Sequence, residues 1–409
     1  MNKNKIINDP VYGFIRIRSE LIFELMEHPF LQRMRHIRQL GLAELVYPGA
    51  IHTRLHHALG SVHLMQQALA ILVSKGVDIS AEETEAAQVA TLLHDTGHGP
   101  FSHALEETLL ESIRHESLSF LFMKELNRQF SGRLGLAIKI FQNTYHKKFL
   151  HQLVSSQLDI DRLDYLNRDS FFTGVREGTV GTDRIIAMLN VLKDQLVVEE
   201  KGIYNIENFL NARRLMYWQV YLHKTSVSAE RLLVNIIKRA QYLAASGVSL
   251  PASESLSLFL CHQFTLDDFI DKRELLLSFG NLDDYDVWGA IKQWQTHRDE
   301  VLSQLCGMLL GRKLFHIRLS SQPIQKSEVE KVKSAIALQW KLGKSDVPYL
   351  FSHGTVSNEA YLSERNSIQI LMKSGELLDV AQASDLPNIK AISKIVKKNY
   401  LCWPKNLSL

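Results

Sequence analysis

The sequence predicts a mainly α-helical protein with a short β-hairpin and a small C-terminal α+β part. Three observations carry this. Apolar residues recur at three- and four-residue spacing over most of the first 241 positions. The stretch 195–206 reads as a short hairpin turning at Lys201-Gly202. Beyond residue 312 the pattern changes to strands around a single helical segment.

Taken in order, helical periodicity is expected over 19–40, 57–75, 82–95, 104–127, 151–168, 182–193 and 207–241. Pro29, Gly41, Pro48 and Gly49 punctuate the first part. Residues 314–319 read as a strand and Lys326–Lys341 as a helix. Residues 347–362 and 367–381 read as further strands, the second pair turning near Ser374-Gly375. The expected division is a helical core over 1–312 and an α+β subdomain over 313–409. Lys390, Lys394, Lys397 and Lys398 are expected on a solvated helix face.

The 409 residues suffice for a large core, and 45% apolar with 22% charged residues describes a soluble globular protein. A net charge of +3 gives no case for nucleic-acid binding. Cys261, Cys306 and Cys402 are widely spaced and odd in number, which fits a reducing compartment rather than a disulfide framework or a zinc ribbon. The first ten residues hold no apolar stretch of the signal-peptide kind, and no run approaches membrane-spanning length. The expectation is a cytoplasmic protein.

The most informative segment is 94–103, His-Asp-Thr-Gly-His-Gly-Pro-Phe-Ser-His. It follows Ala-Ala-Gln-Val-Ala-Thr-Leu-Leu (86–93), which reads as a buried helix. Polar groups leaving such a helix need neutralising, and a metal ion takes imidazole and carboxylate as ligands. His98 is expected one turn from His94 on the same face, with Gly97, Gly99 and Pro100 ending the helix. Two further clusters stand out. Ten of the 17 histidines fall between residues 28 and 115, and His-Thr-Arg-Leu-His-His-Ala-Leu-Gly (52–60) opens a helix. Segment 158–169 alternates four acids with Leu158, Ile160, Leu163 and Leu166, and a helix there puts Asp161, Tyr165, Arg168 and Asp169 on one face with Asp164 at its edge. On its own this segment reads equally as a salt-bridged surface helix.

Together these segments resemble the HD-domain phosphohydrolase superfamily, whose metal-binding pattern is H…HD…D; His57, His94-Asp95 and Asp161 match it in order. Gln32-Arg-Met-Arg-His-Ile-Arg-Gln-Leu-Gly41, Tyr47-Pro-Gly-Ala50, Arg54-Leu-His-His-Ala-Leu-Gly60, His94–His103 and Asp159-Ile-Asp-Arg-Leu-Asp-Tyr165 are similar to the deoxynucleoside triphosphate (dNTP) triphosphohydrolase branch, which includes dGTPase-like and SAM-and-HD-domain enzymes. The similarity runs over most of 1–240. It implies a helical HD-domain core and hydrolysis of dNTP to deoxynucleoside and inorganic triphosphate.

The resemblance assigns His57, His94, Asp95 and Asp161 as ligands of one divalent ion per chain. Two imidazoles and two carboxylates suit Mn, Fe, Zn or Ni better than Mg. His98, His103 and His115 are the acid/base candidates, His103 and His115 near the scissile bond and His98 beside the metal. Glu106, one turn after His103, is expected to orient it. A triphosphate carries about four negative charges, so cations should converge on it. Arg54 and Arg162 are candidates, and Arg213, Tyr217, Tyr221 and Lys224 are expected as a single helical stripe. By resemblance Arg213 and Lys224 meet phosphate, Tyr221 the nucleotide, Tyr165 lies under the sugar, and Gln39 and Leu40 meet sugar and base. None of these reads base identity in an obvious way, which implies a broad or undetermined dNTP preference. Relatives imply a homo-oligomer, dimer or tetramer, and a nucleotide activator at a subunit interface near Glu27, Gln32 and Arg35. Competing readings are an HD phosphohydrolase acting on a monophosphate, a cyclic nucleotide or a single-stranded nucleic acid end, and a nucleotide-sensing regulatory protein.

Overall fold

The Arg54–Ser74 helix runs through the middle of the molecule, flanked by the Ala81–Leu93 and Ile160–Thr173 helices. The computed structural model describes residues 5–110, 113–358, 361, 367–385 and 395–408, with the side chains of His103 and Glu107 outside that description. It is 58% helical, with small sheets. Thirteen of the 21 residues of the Arg54–Ser74 helix are buried, as a helix packed between neighbours requires. Ala81–Leu93 starts with a reciprocal cap, in which Ser80 Oγ accepts from Glu83 N at 3.1 Å and Glu83 Oε2 accepts from Ser80 N at 2.8 Å. Its buried Ala86, Ala87 and Ala90 permit close packing, and it ends at Leu93, so His94 and Asp95 emerge at its C-terminal end.

Several sequence expectations change at element ends. The 19–40 segment is broken into the Glu20–Glu27 and Pro29–Arg33 helices and a 3-10 turn at Met34–His36, because Pro29 starts a new helix. The expected 104–127 helix is two, His103–Leu109 and His115–Gln129. The hairpin is Leu189–Leu192 with Gln195–Glu199, turning at Lys193-Asp194 rather than Lys201-Gly202. Both turn residues have positive φ, 51° and 60°, as a two-residue hairpin turn with the right twist requires. The 207–241 stretch is interrupted by a π-helical turn, Tyr217–Tyr221, between the Ile203–Met216 and Lys224–Ala245 helices. An N-terminal hairpin, Lys5–Asp9 with Gly13–Ile17, was not expected; Asp9 Oδ1 accepts from Val11 N and Tyr12 N, both at 2.9 Å, and Gly13 has φ 73°.

In the C-terminal part, Lys397–Pro404 pairs antiparallel with both Phe315–Ser320 and Ser352–Ser357. Lys397 and Lys398 therefore lie on a strand, not a helix face, and Lys398 Nζ sits 3.9 Å over the Trp218 ring; Lys390 and Lys394 lie outside the described residues. Gln369–Leu371 pairs parallel with Gln195–Glu199, so the hairpin grows into a four-stranded sheet. Ser228 Oγ donates to Phe315 O at 2.7 Å, and Asn235 Nδ2 to Tyr349 O and Phe351 O at 2.9 and 3.1 Å, tying these segments to the Lys224–Ala245 helix. Buried apolar residues form one continuous cluster from Ile15 to Leu407. Among the described residues no helix is long and apolar enough to cross a membrane.

Candidate metal centre and its surroundings

The three central helices bring four donors close together: one ligand atom each from His57, His94 and Asp161 lies within 4.8 Å of the others, while Asp95 adjoins them and also groups with His98 and His115. His57 comes from the first turn of Arg54–Ser74, His94 and Asp95 from the end of Ala81–Leu93, and Asp161 from the first turn of Ile160–Thr173. His57 Nε2 lies 3.1 Å from Asp161 Oδ1 and 3.8 Å from Asp95 Oδ2. His94 Nε2 lies 3.4 Å from Asp95 Oδ1 and 3.6 Å from Asp161 Oδ1.

The other ring nitrogens fix the chemistry of this cluster. His57 Nδ1 donates to Asp164 Oδ2 at 2.7 Å, and His94 Nδ1 donates to the Thr91 carbonyl at 2.6 Å. Each Nε2 is buried and without a hydrogen-bond partner among the described residues. In the neutral rings both Nε2 atoms carry lone pairs, and they face two carboxylates. That arrangement is repulsive unless a positive charge sits between the donors. The same demand shows in proton affinity. Burial pushes the His57 imidazole down, but the Asp161 and Asp164 carboxylates beside it override burial and raise it to about 10. Burial is likewise overridden at His94 by Asp95 and Asp161, to about 9. At Asp95 burial works against ionisation, yet His94 and Arg54 hold the carboxyl well below the usual range. The residues fit a divalent ion of the N/O-binding kind.

A second layer of side chains holds the candidate ligands. Asp164 is fully buried and also accepts from Arg168 Nε and Nη2 at 2.9 and 3.0 Å, while Arg168 Nη1 donates to Asp9 Oδ2 at 2.7 Å. The N-terminal hairpin is thus linked through Arg168 and Asp164 to His57. Gly60 makes room for this pair: a Cβ there would lie closer than 3.0 Å to Arg168 Nη2 and to Asp164 Oδ1. Asp169, on the same helix, accepts from His52 Nε2 at 2.7 Å and from the Tyr221 hydroxyl at 2.8 Å.

The acid/base candidates lie beside the cluster. The His98 and His115 rings stack at 3.8 Å, and His98 Nε2 is 3.5 Å from Asp95 Oδ1. Contrary to expectation, His98 does not share a helix face with His94. The helix has ended, and a tight turn with His98 N donating to Asp95 O at 3.1 Å brings the ring back. Burial and the Arg54 charge keep His98 well below its ordinary value, hence neutral. The described partner of Glu106 is His115, through Oε1 to Nδ1 at 3.0 Å and to the backbone N at 2.8 Å. The His103 side chain, which Glu106 was expected to orient, lies outside the described residues, although its backbone starts the His103–Leu109 helix. Gly97 allows this assembly, since a Cβ there would lie closer than 3.0 Å to His115 O and Ser119 N.

Arg54 is buried, donates Nε to Ser102 Oγ at 2.9 Å and hydrogen-bonds Asp95 through Nη1. Arg162 Nη1 reaches Asp159 Oδ2 at 2.5 Å, and Arg213 Nη1 reaches Gln157 Oε1 at 3.0 Å, so both cations meet the segment that opens the Asp161 helix. Tyr165 and Tyr217 each contact Tyr221 edge-on, at 6.1 and 5.2 Å between ring centroids. The expected single stripe is not formed. The π-helical turn and the break at Leu222-His223 interrupt it, and Lys224 begins a new helix with its side chain exposed. Gln39 N donates to His52 O at 3.1 Å, and Leu40 packs partly buried on the core. Sequence reasoning singled out neither Ser102 nor His52, and it left Asp164, Arg168 and Asp169 without roles. The signal that finds the last three is helical spacing, since Asp164 is one turn from Asp161 and Arg168 one turn further.

Comparison with known proteins places this geometry. Residues 54–169 match the HD domain model, and 180–248 match the model of an HD associated region. The solved structure of a phosphohydrolase from Bacteroides thetaiotaomicron superposes with a TM-score of 0.95 at 49% identity, over 98% of this chain and 100% of that one. The chain is 30% identical to the uncharacterized protein YwfO of Bacillus subtilis, over 100% of this chain and 94% of the relative. It is 29% identical to a deoxynucleoside triphosphate triphosphohydrolase SAMHD1 homolog of Dictyostelium discoideum, over 59% of this chain and 51% of that protein.

Proposed function

The chain belongs to the HD-domain phosphohydrolase family, and we propose that it hydrolyses dNTPs to deoxynucleoside and inorganic triphosphate. The observation that carries the reading is the pair of bare imidazole nitrogens facing Asp95 and Asp161, with Arg54 and the His115–Glu106 pair beside them. The similarity to a dNTP triphosphohydrolase over about half of that protein's length supports the substrate class.

His57, His94, Asp95 and Asp161 would hold the ion, with Mn, Fe, Zn or Ni favoured over Mg by the two nitrogen donors. When bound, the ion supplies an activated water and polarises the phosphoryl group. Arg54, already at Asp95, brings its guanidinium to the developing charge on the α-phosphate. Hydrolysis at the α-phosphorus breaks its bond to the 5′ oxygen, which must leave with a proton. His115, anchored through Nδ1 by Glu106, is the proposed donor, with His103 as its partner. Arg162, Arg213 and Lys224 are proposed for the outer phosphates. Tyr165 is proposed under the sugar, where a ring leaves no room for a 2′-hydroxyl, with Tyr217, Tyr221, Gln39 and Leu40 around the nucleoside.

The test is chromatographic product analysis of each dNTP and rNTP with Mn²⁺, singly and as mixtures. Deoxynucleoside with intact triphosphate is expected. Stepwise release of phosphate or pyrophosphate refutes the reading. Turnover only of monophosphates, cyclic nucleotides or single-stranded ends selects another phosphohydrolase, and no turnover by metal-loaded protein selects a sensor.

A further inference from the structure

Far along the chain from the metal ligands, one buried carboxylate reaches back to the site. Asp284 opens the Asp284–Trp294 helix, outside both matched regions, and is 3% exposed. Its Oδ1 accepts from Phe101 N at 2.7 Å and its Oδ2 from Arg38 N at 2.9 Å. One side chain therefore ties together the backbone that leads into Gln39 and Leu40 and the backbone that leads into His103.

The second of these segments is strained. Phe101 and Ser102 have φ of 55° and 51°, values that side chains other than glycine adopt only where the surroundings impose them. The constraints are visible. Asp284 fixes the Phe101 amide, the Trp288 ring packs edge-on against Phe101 at 5.6 Å, and Ser102 Oγ accepts from Arg54. The neighbours of Asp284 extend the brace. Leu282 O accepts from Arg33 Nη1 at 2.7 Å, and Arg33 Nη2 donates to the Thr96 and His98 carbonyls at 2.8 and 2.9 Å. Asp283 Oδ2 meets His36 Nδ1 at 3.0 Å.

We infer that Asp284 is a positioning residue of the active site: its carboxylate clamps the 38–40 and 101–103 segments to each other and so sets the distance between the nucleoside contacts and the acid/base turn. The inference rests on the proposed phosphohydrolase reading for its kinetic consequence, and on geometry alone for the clamp.

The experiment compares wild type, D284N and D284A, all metal-loaded, by hydrogen–deuterium exchange and by dNTP hydrolysis. In D284A, exchange in peptides covering 37–41 and 99–104 is expected to accelerate about 10-fold or more, while the rest of the chain and the metal content stay as in wild type. An asparagine has one acceptor oxygen, so D284N should release one of the two segments and keep the other. Per metal-loaded chain, kcat should fall about 10- to 100-fold and KM should rise, because both segments move. A residue that only supports folding would lower the active fraction at constant KM. Unchanged exchange in the two segments, acceleration across the whole chain, or local acceleration with unchanged kcat and KM would each overturn the inference. Should D284A not fold, D284N decides by the same readings. If wild type turns over no dNTP, the substrate reading fails, and the exchange pattern alone decides the clamp.

Discussion

Replacing Gly60 by alanine is the sharpest single test of the side chains that support the candidate metal site. In an unobstructed helix interior, Gly→Ala is stabilising by about 0.5–1 kcal/mol. At Gly60 the added Cβ falls closer than 3.0 Å to Arg168 Nη2, Asp164 Oδ1 and Asp164 Cγ, all fully buried. Neither side chain has free space to retreat into. Arg168 is held by Asp9 as well as Asp164, and Asp164 holds His57 Nδ1 at 2.7 Å. Overpacking costs about 1–3 kcal/mol, and disturbing a buried ion pair about 3–5 kcal/mol. Even at the lower ends the sum outweighs the helix gain, so a net loss of about 3 kcal/mol or more is expected. Loss of the Asp164 contact also frees the His57 ring, which should weaken metal binding by about 10- to 100-fold. The assay is denaturant unfolding of metal-free protein together with competition for Mn²⁺ or Zn²⁺ against a calibrated chelator. Gly289 is the control: it lies in the exposed interior of the Asp284–Trp294 helix with nothing within 4 Å of its Cβ position, so G289A should gain about 0.5–1 kcal/mol. If G60A matched G289A in stability and wild type in metal affinity, the packing argument would be wrong.

Three further outcomes are expected. G97A would displace the start of the His115–Gln129 helix by pushing on His115 O and Ser119 N, so activity should fall at least 10-fold while metal content, measured by elemental analysis, stays at wild-type level; equal activity would count against His115. Exhaustive chelation should abolish hydrolysis and readdition of Mn²⁺ restore it, and H57A or D161A should neither retain metal through gel filtration nor be restored. Glu83 carries a pH-dependent stability contribution. Burial raises its carboxyl, but hydrogen bonds from Tyr145, Ser80 N and Lys147 win and lower it from 4.5 to about 2. A depressed value means the contribution is complete above 4.5 and fades as pH falls toward 2, amounting to about 3 kcal/mol. The stability gap between wild type and E83Q should therefore shrink from pH 6 to pH 2, and a gap that did not change would refute the assignment.

Much of the site was legible because its residues are adjacent in sequence or one helical turn apart. His94-Asp95 at the end of an apolar helix, His57 after Arg54, and Asp161 within a helix alternating acids and leucines each stand out locally, and the four meet. The elements were legible in kind but not in their ends. The 104–127 periodicity runs on through a break, and that break puts His115 against Glu106. The stripe from Arg213 to Lys224 assumed an uninterrupted α-helix, whereas a π-helical turn widens the helix at Tyr217–Tyr221 and resets the facing of the residues beyond it.

Chain order and helical period alone determine which side chains share a face, and that suffices for ligands carried on the first or last turn of buried helices. They carry no information about which distant backbone amide a carboxylate reaches. The pairing of Asp9 with Arg168, of Tyr221 with Asp169, and of Asp284 with Phe101 and Arg38 spans 159, 52, 183 and 246 residues. Buried polar groups must find partners wherever packing brings one, and that requirement is met only in the folded chain. The candidate metal ligands were therefore readable from the sequence, whereas the scaffold that holds them was decided by tertiary packing.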